Sequence, residues 1–141
     1  MSGANPLLRP AFSTDAEAVA ALFGEAARPL NARQAAALID EASTWDDGWL
    51  LVGELEGSVI AIGSFRVGAE ETIGVLGPLV VAARRRRLGV AGALVGALED
   101  EARRRGCTRM LVGPEAESDD GAGFYGRRGY AVTDDGLALE L

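Results

Sequence analysis

Residues 77–106, GPLVVAARRRRLGVAGALVGALEDEARRRG, decide the fold and raise the first question about function. An apolar run ends at Val81, four arginines follow at 84–87, and from Val90 apolar residues recur at helical spacing. This pattern predicts a strand, a short turn that contains Gly89, and a long helix. Three acid–arginine pairs at i,i+4 spacing are expected on the exposed face of that helix, namely Glu99/Arg103, Asp100/Arg104 and Glu101/Arg105.

The turn and the start of the helix form a candidate anion site. The first amides of a helix have no partner within it, and the helix dipole is positive at that end. Gly89 lacks a Cβ and Ala91 keeps the first turn narrow, so a ligand could come close to the backbone. Arginine adds bidentate contacts to phosphate. These features predict a pyrophosphate site, although four exposed arginines before an ordinary helix fit the same pattern.

The flanking elements alternate between helical and strand patterns. Thr14–Glu17 and Asn31–Gln34 have the spacing of capping boxes and predict two helices, the second ending near Ser43. Period-two and β-branched stretches predict the remaining strands, at 48–67 (a hairpin), at 71–81, at 109–112 and at 130–141 (a closing hairpin), with a weak helix between 118 and 129. The resulting order, β-α-α-β-β-β-α-β-α-β-β, predicts a mixed sheet with helices on both faces.

The composition excludes several kinds of active site. The chain has 141 residues and no histidine, and all 14 of its basic residues are arginine. Catalytic triads, histidine metal sites, a Walker A lysine and Schiff-base chemistry are therefore excluded. The single cysteine, Cys107, has no histidine to lower its pKa and is interpreted as a small buried hydrophobic residue.

Length and charge set the broad class. A hydrophobic content of 48% and a charged content of 25% predict one globular domain over residues 1–141. The net charge of −7 argues against a nonspecific nucleic-acid binder. No signal-peptide pattern and no apolar run of membrane-spanning length occur, which predicts a cytoplasmic protein without a membrane partner.

Residues 86–91, Arg-Arg-Leu-Gly-Val-Ala, fit the pattern (Arg/Gln)-x-x-Gly-x-(Gly/Ala). That is the signature of the GNAT superfamily of acetyl-CoA-dependent N-acetyltransferases, which the chain strongly resembles. Residues 7–23 look like the family's first strand and helix, and residues 124–130, FYGRRGY, like its late tyrosine motif. With GPLVV, that motif is most similar to small predicted bacterial acetyltransferases related to YhbS. The resemblance implies an α/β (α+β) fold with a mixed, mostly antiparallel sheet of six or seven strands and about four helices.

The resemblance also implies acetyl-CoA as the co-substrate, with no metal. The backbone of Leu79, Val80 and Val81 would pair with the pantetheine arm. The amides of the turn would hold the pyrophosphate, and Arg84 or Arg85 would reach the 3′-phosphate. The turn residues expected to bind the coenzyme are Arg86, Arg87, Leu88, Gly89, Val90 and Ala91.

Two catalytic roles follow from the same resemblance. Tyr125 matches the tyrosine that in many relatives faces the coenzyme sulfur and protonates the departing thiolate. An amine acceptor must also lose a proton before it attacks the thioester, and without histidine the base must be a carboxylate, a tyrosinate or a chain of water molecules. Glu70 and Glu71, near the start of the central strand, are the candidates, although solvated residues in a hairpin turn fit them as well.

Trp45 and Trp49 flank the acidic pair at 46–47, in the region that lines the acceptor pocket in the family. Aromatic and acidic side chains together would suit a cationic amine. An ordinary loop with one core tryptophan fits the same residues equally well.

Three functions remain open at this point. The first is an N-acetyltransferase that acts by direct attack of a primary amine of a small molecule or peptide. The second is a coenzyme-A-binding module with weakened catalysis, and the third is an arginine-based nucleic-acid contact protein, which the acidic charge disfavours. The sequence leaves a homodimer open.

Overall fold

The structure, a computed structural model, describes residues 6–26, 29–68, 72–85, 89–114 and 121–141. These ranges contain seven strands and four helices in the order that the sequence predicts. The strands are β1 (Leu7–Pro10), β2 (Gly48–Leu55), β3 (Ser58–Val67), β4 (Ile73–Val81), β5 (Arg109–Val112), β6 (Ala131–Thr133) and β7 (Gly136–Glu140). The helices are α1 (Ala16–Glu25), α2 (Ala32–Ala42), α3 (Val90–Arg104) and α4 (Gly121–Arg127).

The strands form one sheet in the order β1-β2-β3-β4-β5-β7-β6. Neighbouring strands are antiparallel except for β4 and β5, which are parallel. Successive residues of β3 face opposite sides of the sheet. A Cβ at Gly63 would lie 2.9 Å from Leu94 of α3, whereas Ser64 and Arg66 share a cleft with Leu38 of α2. The predicted mixed, mostly antiparallel sheet with helices on both faces is confirmed.

A β-bulge interrupts β4 at its centre. Gly63 of β3 is opposite Leu79, but Phe65 is opposite Leu76, so β4 has one extra residue between these positions. Pro78 lies in this bulge, where a missing backbone N–H does not break the regular ladder. A bulge bends the strand and increases its twist, and here it coincides with the end of pairing to β5.

The two predicted helix starts have different outcomes. Asn31 and Gln34 form the predicted capping box, with backbone-to-side-chain distances of 2.8 and 2.9 Å. The box predicted at Thr14–Glu17 is wrong, because Asp15 accepts instead from the backbone N–H of Phe12 and from the guanidinium of Arg9. The hydrogen bonds from Arg9 hold the pKa of Asp15 below its ordinary value.

Helix α3 is stopped, as predicted, by Gly106 just after its C-cap Arg105, and the φ of 89° at Gly106 is the left-handed value typical of that position. Among the described residues, only one of the three predicted i,i+4 ion pairs on α3 forms, Glu101–Arg105, at 2.9 Å. Arg103 and Arg104 bind acids three residues before them. Glu99 is buried, so its predicted surface pair is wrong. Within the described ranges, each helix is too short or too polar to cross a bilayer.

Candidate active site

Among the described residues, β4 continues beyond the end of β5 and leaves a gap in the sheet. In the described chain, β5 pairs with β4 only from Ile73 to Leu76, and the N–H of Gly113 then donates to the carbonyl of Leu76 at 3.0 Å. Residues 77–81 extend past this point. Leu79, Val80 and Val81, the three residues expected to contact the coenzyme arm, lie here and pair on their other side with β3.

The turn after β4 is tied to two other elements. The N–H of Ala83 donates to the Glu25 carboxylate of α1 at 2.8 Å. The N–H of Ala82 donates to the carbonyl of Ile60 in β3, also at 2.8 Å. Arg85, a candidate for the 3′-phosphate, lies 3.9 Å from Glu56. The expectations for Arg86, Arg87, Leu88 and the side chain of Arg84 lie outside the described residues.

Helix α3 begins at the gap with an open first turn. Gly89 has φ of 79°, and, its chain neighbours aside, no atom of the described residues lies within 4 Å of the position that its Cβ would occupy. The first helical hydrogen bond runs from the N–H of Ala93 to the carbonyl of Gly89, so the amides before Ala93 need acceptors from outside the helix. Val90 is buried and anchors the turn, while Ala91 is half-buried. This arrangement suits an anion held by backbone amides.

Tyr125 brings a buried hydroxyl into the interior next to α3. The residue is 1% exposed, and its Oη has no hydrogen-bond partner among the described residues. Its ring packs edge-on against Phe124 and Tyr130, with centroid distances of 5.0 and 5.3 Å. A buried hydroxyl without a partner costs free energy, so this donor is suited to a ligand that supplies an acceptor.

A cleft of about 440 Å³ approaches the same gap from the opposite face of the sheet. We call it the α2-side cleft. Its walls are mostly apolar, and its polar side chains are Glu41, Ser64 and Arg66. The full lining is Phe23, Leu30, Leu38, Glu41, Trp45, Ser64, Arg66, Val75, Leu76, Gly77, Pro78, Gly113 and Pro114. The cleft thus reaches the residues at which β4 and β5 separate.

The GNAT acetyltransferase family model matches residues 15–130, which include the sheet gap, the turn and Tyr125. The chain belongs to the GNAT family. Members of this family are acyl-CoA-dependent transferases that bind acetyl-CoA and an acceptor. Comparison with curated proteins finds no match.

Solved structures share the GNAT fold over nearly the whole chain. An N-acetyltransferase from Staphylococcus aureus Mu50 has a TM-score of 0.79 at 18% identity, covering 97% of this chain and 99% of its own. Salmonella typhimurium yncA, solved with its cofactor acetyl-CoA, has a TM-score of 0.78 at 21% identity, covering 98% and 95%. Glucosamine-6-phosphate N-acetyltransferase from Arabidopsis thaliana has a TM-score of 0.76 at 20% identity, covering 93% and 95%. At these identities the likeness shows the fold.

The structure brings the two predicted acceptor-pocket tryptophans of this GNAT chain together in one groove. Trp45 also lines the α2-side cleft, whereas Trp49 also lines a groove beside β1. Asp47 is paired with Arg66 at 3.0 Å, and the guanidinium of Arg66 lies 4.5 Å from the centre of the Trp45 ring. The protein's own Arg66 therefore occupies one acid and one tryptophan, Asp47 and Trp45, of the set expected to suit a cationic amine.

Sequence analysis missed the positions of two acidic residues near the candidate active site. Glu41 supplies the carboxylate of the α2-side cleft, and its spacing from Leu38 on the same helix face could have indicated this position. Glu99 is buried beside Arg128 and Tyr130. The candidate bases Glu70 and Glu71 lie outside the described residues.

Cys107 is predicted to be dispensable for acetyl transfer. It is 5% exposed, and burial raises the pKa of its thiol, so the nucleophilic thiolate is disfavoured. Cys107→Ala should leave turnover per folded molecule within about threefold of wild type and lower the free energy of unfolding by about 1 kcal/mol. Steady-state kinetics and urea unfolding test this. An acetyl group trapped on Cys107 by mass spectrometry would contradict it.

The two buried tyrosines predict a stability change at high pH. Burial raises the pKa of Tyr125 from 10.0 to about 12, and burial together with a hydrogen bond to Glu99 raises that of Tyr130. Above about pH 10 the unfolded chain releases protons that the folded protein keeps. The free energy of unfolding is therefore unaffected by these two tyrosines below about pH 10 and falls as the pH rises above that value. Between about pH 10 and 12, wild type should lose about 1.4 kcal/mol per pH unit more than Tyr125→Phe in urea unfolding. Equal slopes would contradict the raised pKa of Tyr125.

Proposed function

We propose that this GNAT protein moves the acetyl group of acetyl-CoA to a primary amine of a small molecule or peptide by direct attack. Three features of the described residues carry the proposal. These are the end of β4 beyond β5, the first turn of α3 at Gly89, and the buried hydroxyl of Tyr125, which has no hydrogen-bond partner among the described residues. Each provides what one part of the coenzyme needs.

The described residues fit acetyl-CoA, which would supply the acetyl group as a reactive thioester. The backbone of Leu79 and Val80, beyond the part of β4 that pairs with β5, offers an extended edge to the amides of the pantetheine arm. The first turn of α3 offers backbone amides to the pyrophosphate, and Gly89, which has no Cβ, lets those phosphates come close. Residues 86–88 belong to the same proposed cradle.

Tyr125 would act as the general acid. When the amine nitrogen bonds to the carbonyl carbon and the carbon–sulfur bond breaks, the sulfur takes up the proton of the Tyr125 hydroxyl. Because the pKa of Tyr125 is raised to about 12, the hydroxyl carries this proton throughout the neutral range. The amine loses its own proton to a carboxylate, for which Glu70 and Glu71 stay the candidates.

The acceptor would enter through the α2-side cleft, on the face of the sheet opposite α3. Its apolar walls would bind the body of the amine and exclude water, which strengthens the electrostatic contacts inside. Glu41 adds a negative charge that would attract the protonated amine before it reacts.

The FYGRRGY motif supports placing the protein with the YhbS-related group.

Product analysis with a panel of amines tests the proposal. Acetyl-CoA is incubated with polyamines, apolar monoamines, amino acids and peptides, and the products are followed by mass spectrometry. The expected result is coenzyme A release that requires an amine and matches acetylated product one to one. Tight binding of acetyl-CoA without acetylation of any amine would instead favour a coenzyme-A-binding module.

A further inference from the structure

Glu99 is a buried carboxylate that none of the proposed chemical steps uses. It lies on α3, nine residues after the start of that helix, and is 5% exposed. We propose that Glu99 is a positioning residue: through Arg128 and Tyr130 it fixes the hydroxyl of Tyr125 relative to α3. This inference rests on the proposed role of Tyr125 as the general acid.

Both oxygens of Glu99 bind side chains that follow α4. Oε1 accepts from Nη2 of Arg128 at 2.6 Å, and Oε2 accepts from the hydroxyl of Tyr130 at 2.8 Å. The guanidinium of Arg128 lies across a bare stretch of α3, where Cβ atoms on Gly92 and Gly96 would be 3.6 and 3.7 Å from its nitrogens. One carboxylate therefore joins α3 to the turn after α4 by two charge-assisted bonds.

That turn is rigidly connected to Tyr125. The N–H of Tyr130 donates to the carbonyl of Tyr125, and the N–H of Gly129 to that of Gly126, both at 3.0 Å. Gly129 has φ of 98°, so the turn is a Schellman motif. The rings of Tyr125 and Tyr130 supply the apolar contact that accompanies this motif. Any shift of Tyr130 must move Tyr125.

Helix α3 carries both ends of the proposed arrangement. Its first turn would hold the pyrophosphate, and Glu99 lies roughly 14 Å further along the same helix axis. The distance between the pyrophosphate site and the Tyr125 hydroxyl therefore depends on the Glu99 contacts. An apolar pair of similar volume would stabilise such a contact at least as well as a buried ion pair. The carboxylate instead fixes the orientation of Arg128 and Tyr130, because its two oxygens accept their hydrogen bonds at defined angles.

A double-mutant cycle with Tyr125→Phe tests the inference. Glu99→Gln keeps the shape of the side chain but replaces one acceptor oxygen with a donor. We expect it to lower kcat by roughly fivefold to a hundredfold, with the KM for acetyl-CoA within about threefold of wild type. In the Tyr125→Phe background the same substitution should change kcat by less than about twofold, because no hydroxyl is left to position. Glu101→Gln, which removes another arginine-paired carboxylate from α3, is the matched control and should leave kcat unchanged.

Arg128→Lys is the second variant if Glu99→Gln does not fold. It keeps the charge but replaces a fork of donors with a point charge, so a smaller loss of kcat that also vanishes in Tyr125→Phe is expected. An equal loss in both backgrounds, or no loss in either, would overturn the positioning role while leaving the proposed function intact. If Tyr125→Phe itself turned over like wild type, the acid role of Tyr125 would be wrong and the positioning inference would fall with it.

Discussion

Tyr125→Phe is expected to lower kcat by roughly tenfold to a thousandfold. A thiolate with a pKa near 8.5 is already a fair leaving group, so protonation of the sulfur contributes less than the upper range of general-acid effects. Single-turnover and steady-state rates with saturating acetyl-CoA and an identified amine measure the change. Equal rates for the two proteins, under conditions in which chemistry limits turnover, would remove Tyr125 from the mechanism.

The same variant should be at least as stable as wild type near neutral pH. Its ring keeps the edge-on contacts with Phe124 and Tyr130, and the substitution removes only a buried hydroxyl that has no partner in the described part of the chain. Relief of that unsatisfied group is expected to raise the free energy of unfolding by up to about 1 kcal/mol. Tyr130→Phe is the contrasting variant, since it removes the hydrogen bond that the Tyr130 hydroxyl donates to buried Glu99 and should lower stability.

Gly89→Asp should weaken the binding of acetyl-CoA by at least tenfold relative to Gly89→Asn, roughly the effect of one like charge a few ångströms from a phosphate. Asparagine and aspartate both tolerate the left-handed φ of this position and have nearly the same volume. The comparison therefore separates charge from backbone strain. Calorimetric titration of the two folded variants measures it.

The melting temperatures of the two Gly89 variants provide the control. The negative charge of an aspartate at a helix start interacts favourably with the helix dipole. Gly89→Asp should therefore be no less stable than Gly89→Asn. Loss of coenzyme affinity in a protein of unchanged stability would then reflect repulsion at the binding site. Equal affinities for the two variants would show that no phosphate lies beside Gly89.

The order of the elements could be predicted because it depends on local patterns. The helical spacing after Val90 and the turn at Glu56–Gly57 each fix an element without help from the rest of the chain. The parallel pairing of β4 with β5 and the bulge at Pro78 depend on distant segments. The gap that defines the candidate site could therefore not be predicted from periodicity and was implied only by the family resemblance.

Glu99 shows why part of the site was missed. Its i,i+4 spacing to Arg103 is typical of an exposed ion pair, yet Glu99 is buried and binds Arg128 and Tyr130, which follow α4. A signal was present, because Gly92, Gly96 and Glu99 share one helix face and leave room for a large side chain. Only the structure shows that Arg128 fills that room.

A crystal structure of the complex with acetyl-CoA tests the central claim most directly. The account predicts that the pantetheine arm lies along residues 79–81 and that the pyrophosphate lies within about 3 Å of amides in the first turn of α3. It also predicts the coenzyme sulfur within about 4 Å of the Tyr125 hydroxyl. A coenzyme bound elsewhere, or one bound in the gap with its sulfur beyond hydrogen-bond reach of Tyr125, would contradict the account.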